Sequence, residues 1–453
     1  MPPLAYPPAR RALPLLALLS LLVAGCGGAP EPRTPPILVV TIDTIRADHM
    51  GAYGYFRDTS PHFDALAEEG VLFRRAVTTM ATTLPAHLSL WASRYPLQTG
   101  VLSNGNRFKL QKKSGATIRL FAEMLQEAGY DTAAFVSATP VKQYTGIGVG
   151  FDHYDEPETT FRRAAETTDR ALAWLAQPRD QPFLLWVHYF DPHKEWDPPP
   201  PYDTAFSTDA ALVRSLHQRK FPDPTDPEIQ QIHNLYDGEI LYTDAHLGRL
   251  IERLRQDGTL ARAAVVVVGD HGEGLGQHDH LTHGEIYNEQ LFVPLAMRFP
   301  DELGLNGQVV EGIVSMTDVV PTLVAALDLP VSEADREQFA GVDTLGGEAR
   351  RYAFAQRVFG TKRYERQGEK YALVGREWKY FYSTRRPDAL YDLRGDFAES
   401  VNLIGVYPEI AGEMKAQLLA ELKEYADSAG EYQVEQETSE EVLRDLRALG
   451  YIQ

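Results

Sequence analysis

The stretch AVVVVGDH, residues 264–271, opens on a run of apolar β-branched residues and closes on an acid and an imidazole. A run of this kind without alternating polar residues suits a strand covered on both faces, the situation of a parallel sheet packed between helices. The stretch ILVVTID, residues 37–43, repeats the design, and FLLWVHYFDPH, residues 183–193, extends it to a third strand. Between such runs lie segments with helical spacing. In 116–129, ATIRLFAEMLQEAG, the residues Ile118, Phe121 and Leu125 share a face ahead of Gly129. In 239–254, EILYTDAHLGRLIERL, the residues Ile240, Leu247, Leu250 and Leu254 do the same just before the valine run. The alternation predicts an α/β fold with a mostly parallel sheet flanked by helices.

The three strands end in Asp43, in Asp191 and His193, and in Asp270 and His271. In open α/β sheets ligands bind beyond the carboxyl ends of the strands, so side chains far apart in sequence converge there. Carboxylates combined with imidazoles suit Zn²⁺ or Mn²⁺ better than Ca²⁺ or Mg²⁺, which prefer all-oxygen sets. A divalent metal is therefore the expected cofactor. The segment 78–90, TTMATTLPAHLSL, places Thr83 two residues before Pro85 at an expected helix start. Such a threonine is either a helix cap or, beside a metal, a nucleophile, with the helix amides facing an anionic substrate.

Composition bounds the remainder. A chain of 453 residues with 44% hydrophobic content can bury a large core. Its net charge of −19 provides no basic footprint for nucleic acid. Cys26 is the one cysteine, so there is no disulfide and no cysteine-rich metal site. Arg10 and Arg11 precede the apolar run ALPLLALLSLLVAG, which is too short to span a bilayer and suits a secretory signal. The run ends in Leu22-Val23-Ala24-Gly25-Cys26, which resembles the bacterial lipobox. That resemblance implies a signal peptide over 1–25, lipidation of Cys26, and a Gly/Pro-rich tether over 26–36 holding the protein at a membrane of the bacterial envelope, facing the periplasm or exterior.

Residues 196–228 are rich in proline and lack periodicity, as a surface excursion would. After residue 345 the strand-like segments RYAFAQRV, EKYALVG and REWKYFYS are followed by the amphipathic EIAGEMKAQLLAELKEYA. This divides the chain into a catalytic domain over 37–345, a smaller α+β domain with an antiparallel sheet over 346–435, and a tail helix over 436–453.

Several segments, in order, resemble the sulfatases and their relatives in the alkaline phosphatase superfamily: VVTIDTIRADHMGAYGY, SPHFDALAEEGVLFRRAV, TTLPAHLSLWASRYPLQTGV, HYFDPHKEW, YDGEILYTDAHLGRL, VVVVGDHGEGLGQHD and HGEIYNEQLFVPLAMR. Late in the chain ALYDLRGDFAESVNL resembles the family's terminal signature. The resemblance implies an alkaline-phosphatase-like fold and a hydrolase of sulfate or phosphate esters. It implies that Asp43, Thr83, Asp270 and His271 hold the metal, and that Thr83 stands where the nucleophile of the C/S-x-P-x-R motif belongs. Asn104 then resembles an amide donor to the substrate, and His193 and His283 resemble substrate-binding residues. Asp191, His193 and His283 form either a second metal site or a set of contacts to substrate oxygen. His87, Glu273, Arg46, Asp48, His278 and His280 read as structural or loop residues.

The departures from the sulfatase pattern bear on the chemistry. Residue 83 is threonine and cannot become the formylglycine of true sulfatases. Thr44 replaces a metal aspartate, and His87 replaces the motif arginine. These departures favour a phosphomonoester or phosphodiester as the anionic substrate. The other readings are an envelope phospho-group transferase of the same superfamily and a metal-binding lipoprotein without catalysis.

Overall fold

The computed structural model describes residues 34–105, 118–206, 225–347, 349–357 and 368–429, with the short pieces 111–112, 209, 212 and 432–433. The expected signal peptide, Cys26, most of the tether and the tail helix lie outside the described residues.

The strands in chain order are β1 (Ile37–Ile42), β2 (Val71–Val77), β3 (Gln111–Lys112), β4 (Asp131–Phe135), β5 (His153–Asp155), β6 (Phe183–Tyr189), β7 (Ala264–Gly269), β8 (Phe292–Val293), β9 (Leu295–Arg298), β10 (Gln308–Ser315), β11 (Tyr352–Arg357), β12 (Lys370–Gly375), β13 (Trp378–Ser383), β14 (Ala389–Asp392) and β15 (Tyr432–Gln433). Nine of them form one sheet in the order β10-β2-β9-β7-β1-β6-β4-β5, with β8 on β2. It is parallel except for β8 and β9, which run against their neighbours. Strands β1, β6 and β7 are buried along their whole length, as their unbroken apolar runs require. One hydrophobic cluster covers each face: Trp91, Phe121, Trp186 and Phe299 belong to one, and Phe63, Trp196, Tyr236 and Leu250 to the other.

Two helical expectations change at their ends. The helix expected from 116 begins at Phe121, where the Glu123 carboxylate accepts the Leu120 N–H at 2.7 Å and closes the first turn. The helix read from 239 is a 31-residue element, Asp226–Gln256. Its start lies inside the proline-rich excursion, because Thr225 and Glu228 form a capping box and the proline at 227 sits in the first turn, where it costs no bond.

The second sheet, β11-β12-β13-β14, is antiparallel and carries the helix Pro408–Ala429 on one face. Its other face packs Ala353, Ala372 and Phe381 against Val77, Ile286 and Phe292 of the larger sheet region. The described residues from Thr34 onward fall in one compact unit, and the second sheet begins with β11 at Tyr352. No helix among the described residues is long and apolar enough to cross a membrane.

Candidate active site

Register brings the two aspartates together. Ile42 pairs with Gly269 across β1 and β7, so Asp43 and Asp270, one residue further, emerge side by side. Their backbones continue the ladder: the Asp43 N–H donates to the Tyr189 carbonyl at 2.9 Å, and the Asp270 N–H to the Ile42 carbonyl at 3.2 Å. Gly272 permits the turn that follows, since a Cβ there would lie 2.0 Å from the Glu289 carbonyl oxygen.

His271 donates Nδ1–H to the Gly272 carbonyl at 3.0 Å, which leaves the Nε2 lone pair for a ligand. Asp270 accepts the N–H groups of His271 and Thr44 on Oδ1, at 2.6 and 3.1 Å, and turns Oδ2 the other way. One ligand atom from each of Asp43, Asp270 and His271 lies within 4.8 Å of the others, and all three residues are buried. Both Asp43 oxygens, Asp270 Oδ2 and His271 Nε2 lack a hydrogen-bond partner. Burial pushes the Asp43 carboxyl up to about 7, against the lowering effect of His283 and of the Thr83 hydroxyl. Burial and the neighbouring Asp43 also push Asp270 well above its ordinary range, while burial and His283 hold His271 neutral. The buried Asp43 carboxylate, Oδ2 of Asp270 and the Nε2 lone pair of His271 together fit a divalent cation.

Thr83 is the first residue of the helix Thr83–Ala92, and Thr82 precedes it as the N-cap without a side-chain bond. The side-chain cap comes from elsewhere: Asn104 Oδ1 accepts the Leu84 N–H at 2.8 Å. This corrects the expected fan of helix amides facing the substrate. The Leu84 N–H is committed to Asn104, Pro85 has none, and the Ala86 N–H donates to the Thr82 carbonyl at 3.0 Å. The bond to Leu84 also fixes which end of the Asn104 amide points away, and Nδ2 is buried without an acceptor. Thr83 is thereby relieved of capping, and its hydroxyl acts on Asp43.

His193 and His283 meet, with Nε2 atoms 3.3 Å apart. Each Nδ1 lies against a carbonyl, that of Lys194 at 2.5 Å and that of Ala81 at 3.1 Å, so each Nδ1 carries the proton and the two Nε2 lone pairs face one another. Burial holds both imidazoles below their ordinary range. The His283 ring lies 4.4 Å from that of His271, which joins the pair to the metal cluster. Asp191 does not join them. It faces Arg163, with Oδ1 3.7 Å from Nη1, and shares that arginine with Glu239, so no triad of Asp191, His193 and His283 forms. His278 bonds Glu289 at 2.9 Å and stacks on Tyr287, and His280 approaches Glu285 at 3.5 Å.

Two histidines behind the cluster have defined roles that the sequence reading either passed over or left general. His188, on β6, accepts the Ser137 N–H on Nδ1 at 3.3 Å, which leaves its proton on Nε2, 3.7 Å from Asp43 Oδ2. It pairs in register with Thr41, two residues before Asp43, and that shared face of the sheet was the available signal. His87 ends a directed chain: Trp186 Nε1–H donates to Thr41 Oγ1 at 2.9 Å, Thr41 bonds His87 Nε2 at 2.9 Å, and His87 Nδ1 bonds the Thr83 carbonyl at 2.8 Å. Glu273 is buried with Oε2 unpartnered, and its Oε1 accepts the Gly274 N–H at 3.3 Å.

Residues 35–329 match the family model described as Sulfatase. The chain is 25% identical to an uncharacterised sulfatase, YidJ, of Escherichia coli (strain K12), over 88% of this chain and 90% of that one. It is 23% identical to an ulvan-active sulfatase of Formosa agariphila, over 88% and 83%. The crystal structure of a phosphonate monoester hydrolase of Agrobacterium radiobacter superposes with a TM-score of 0.74 at 22% identity, covering 86% of this chain and 96% of that one.

Proposed function

The chain belongs to the sulfatase family and is an ester hydrolase, and from that premise we propose that Thr83 is its nucleophile, a divalent metal its cofactor and a phosphate mono- or diester its substrate. One observation carries the proposal: the Thr83 hydroxyl stands beside a buried set of unpartnered ligand atoms on Asp43, Asp270 and His271. A threonine cannot supply the aldehyde hydrate by which sulfate is released through elimination, whereas a phosphothreonine is open to attack by water.

Asp43, Asp270 and His271 would hold the metal together with Thr83, and Zn²⁺ or Mn²⁺ would suit their mixed oxygen and nitrogen set. When bound, the cation lowers the pKa of the Thr83 hydroxyl and offsets negative charge on the ester. Thr83 Oγ1, its proton released to solvent, attacks phosphorus in line, its bond to phosphorus forming as the bond to the leaving oxygen breaks. Asn104 Nδ2 donates to a non-bridging oxygen. The neutral His193 and His283 pair faces lone pair to lone pair, and an arriving anion favours its protonated form. The pair gives the proton it takes up from solvent to the leaving oxygen, and water then splits the Thr83 ester, returning a proton to Thr83 and releasing phosphate from a monoester or a phosphomonoester from a diester. The lipobox resemblance at Cys26 supports a place at the envelope membrane for this chemistry.

The test is turnover of matched aryl phosphate monoester, phosphodiester, phosphonate and sulfate substrates with Zn²⁺, Mn²⁺ or Ca²⁺. A phosphate ester is expected to be turned over fastest. Thr83→Ala should lose several orders of magnitude in kcat, and Thr83→Ser should keep part of it. A sulfate ester as the best substrate would overturn the phosphoester reading, and wild-type turnover by Thr83→Ala would overturn the nucleophile.

A further inference from the structure

Thr44, which follows the candidate ligand Asp43, has φ of 52°, the left-handed region that a β-branched residue enters at a cost. Two buried hydrogen bonds hold it there. Its N–H donates to Asp270 Oδ1 at 3.1 Å, and its carbonyl accepts the Tyr236 hydroxyl at 2.7 Å. The same hydroxyl accepts the Arg46 N–H at 2.9 Å, and the Arg46 guanidinium donates to the Glu273 carbonyl at 3.2 Å. One phenol on the helix Asp226–Gln256 thus holds the loop after β1, and through Arg46 the loop after β7.

Other residues of that helix also hold loops, but none of these bonds reaches a residue next to a ligand. Asp237 binds His49, Tyr55 and Arg57 at 2.7, 2.7 and 2.6 Å, and Asp244 accepts the N–H groups of His62 and Phe63, both at 2.8 Å. Tyr236 is placed differently. The bend at Thr44 sends its N–H to Oδ1 of Asp270, and that bond leaves Oδ2 turned toward Asp43 and His271.

We propose that Tyr236 is a positioning residue of the metal site: its hydroxyl holds Thr44 in the left-handed conformation that aims Asp43 and Asp270 at one cation. The proposal rests on the metal reading above. Without the hydroxyl, Thr44 relaxes toward ordinary backbone angles, Asp270 loses one of its two N–H donors, and the ligand set loosens.

The experiment measures Zn²⁺ and Mn²⁺ affinity of the full chain by competition with a chromophoric chelator, in Tyr236→Phe, Thr44→Gly and the double variant, with far-UV spectra as the check on folding. Tyr236→Phe should weaken binding about 10- to 100-fold, the range for residues that orient ligands. Thr44→Gly alone should bind at least as tightly as wild type, because glycine takes positive φ without the Cβ penalty. For the same reason the double variant should regain most of the loss. Wild-type affinity in Tyr236→Phe overturns the clamp, as does a loss that persists undiminished in the double variant, which would make Tyr236 a packing residue. A tenfold loss in Thr44→Gly overturns it too, and that arm stands even if Tyr236→Phe does not fold. A wild-type chain that binds neither metal overturns the metal reading, and the clamp with it.

Discussion

At the scale of single residues the site is a set of charges that the fold does not neutralise by itself. Asp43 titrates near 7 because burial opposes its charge, whereas in the unfolded chain it ionises near 3.8. A carboxyl with a raised folded pKa contributes stability that is present below the unfolded value and is lost as pH rises to the folded one. The metal-free protein is therefore expected to lose melting temperature between about pH 4 and pH 7, and Zn²⁺ or Mn²⁺ to restore it most above pH 7, where the ligand is already ionised. Melting curves across pH in chelator and in excess metal check this; a metal-free protein that gains stability across that window would contradict it. The convergence of Asp43, Asp270 and His271 and the helix start at Thr83 were legible in the sequence because strand ends and a proline in a first turn show in the pattern. Asp191 stands two positions before His193 yet faces Arg163, a side-chain direction that sequence spacing does not contain. The arrangement of Tyr236 was not legible, since its role depends on a contact 192 positions away.

At the scale of elements, helix Thr83–Ala92 works because its cap is borrowed. Asn104 uses one end of its amide to close the helix start, and the other, Nδ2, is buried without an acceptor. Asn104→Asp preserves an oxygen for the Leu84 N–H but replaces the donor with an acceptor. It is expected to leave the melting temperature within a few degrees while lowering kcat/KM about 100-fold, the scale of one lost oxyanion donor. Asn104→Ala removes both functions and should lower both. Equal loss of stability in the two variants would reduce Asn104 to a cap. The sequence predicted the helices over 116–129 and 239–254 by their apolar faces and erred at these two starts, because Glu123 and Thr225 set them through local hydrogen bonds that periodicity does not contain.

At the scale of the whole molecule, two predictions concern how the chain is held. Cys26→Ser removes the one lipidation site the sequence offers, and the protein should then be unlipidated, either soluble or still carrying its signal, with its specific activity unchanged. Mass spectrometry of the mature wild-type chain decides the point, and an unmodified Cys26 would exclude the anchor. The second sheet bears directly on the active site. Glu285, two residues after His283, is buried between Arg357 of β11 and Lys370 of β12, the latter at 2.6 Å. Lys379 of β13 donates to the Ile286 carbonyl at 2.6 Å and Asn288 Oδ1 at 3.0 Å, and pairs with Glu399 at 2.7 Å.

The terminal signature ALYDLRGDFAESVNL acquires a physical meaning from these contacts. Asp396 accepts the N–H groups of Ser400 and Val401, and Asn402 Oδ1 those of Leu390 and Ile404. These bonds fold the segment so that Glu399 reaches the Asn288 N–H at 2.6 Å while pairing with Lys379. Lys379→Met would leave Glu399 buried without its cation, which costs about 3–5 kcal/mol when one partner of a buried pair is removed. It should also free the 283–288 loop and so lower kcat/KM. Adding Glu399→Gln removes the stranded charge while keeping an oxygen for Asn288, so the double variant should regain most of the stability. Denaturant unfolding of the four chains measures the coupling. Simple additivity of the two substitutions would mean that the second sheet is a passive neighbour of the His283 loop, and a strong positive coupling that it is the loop's anchor.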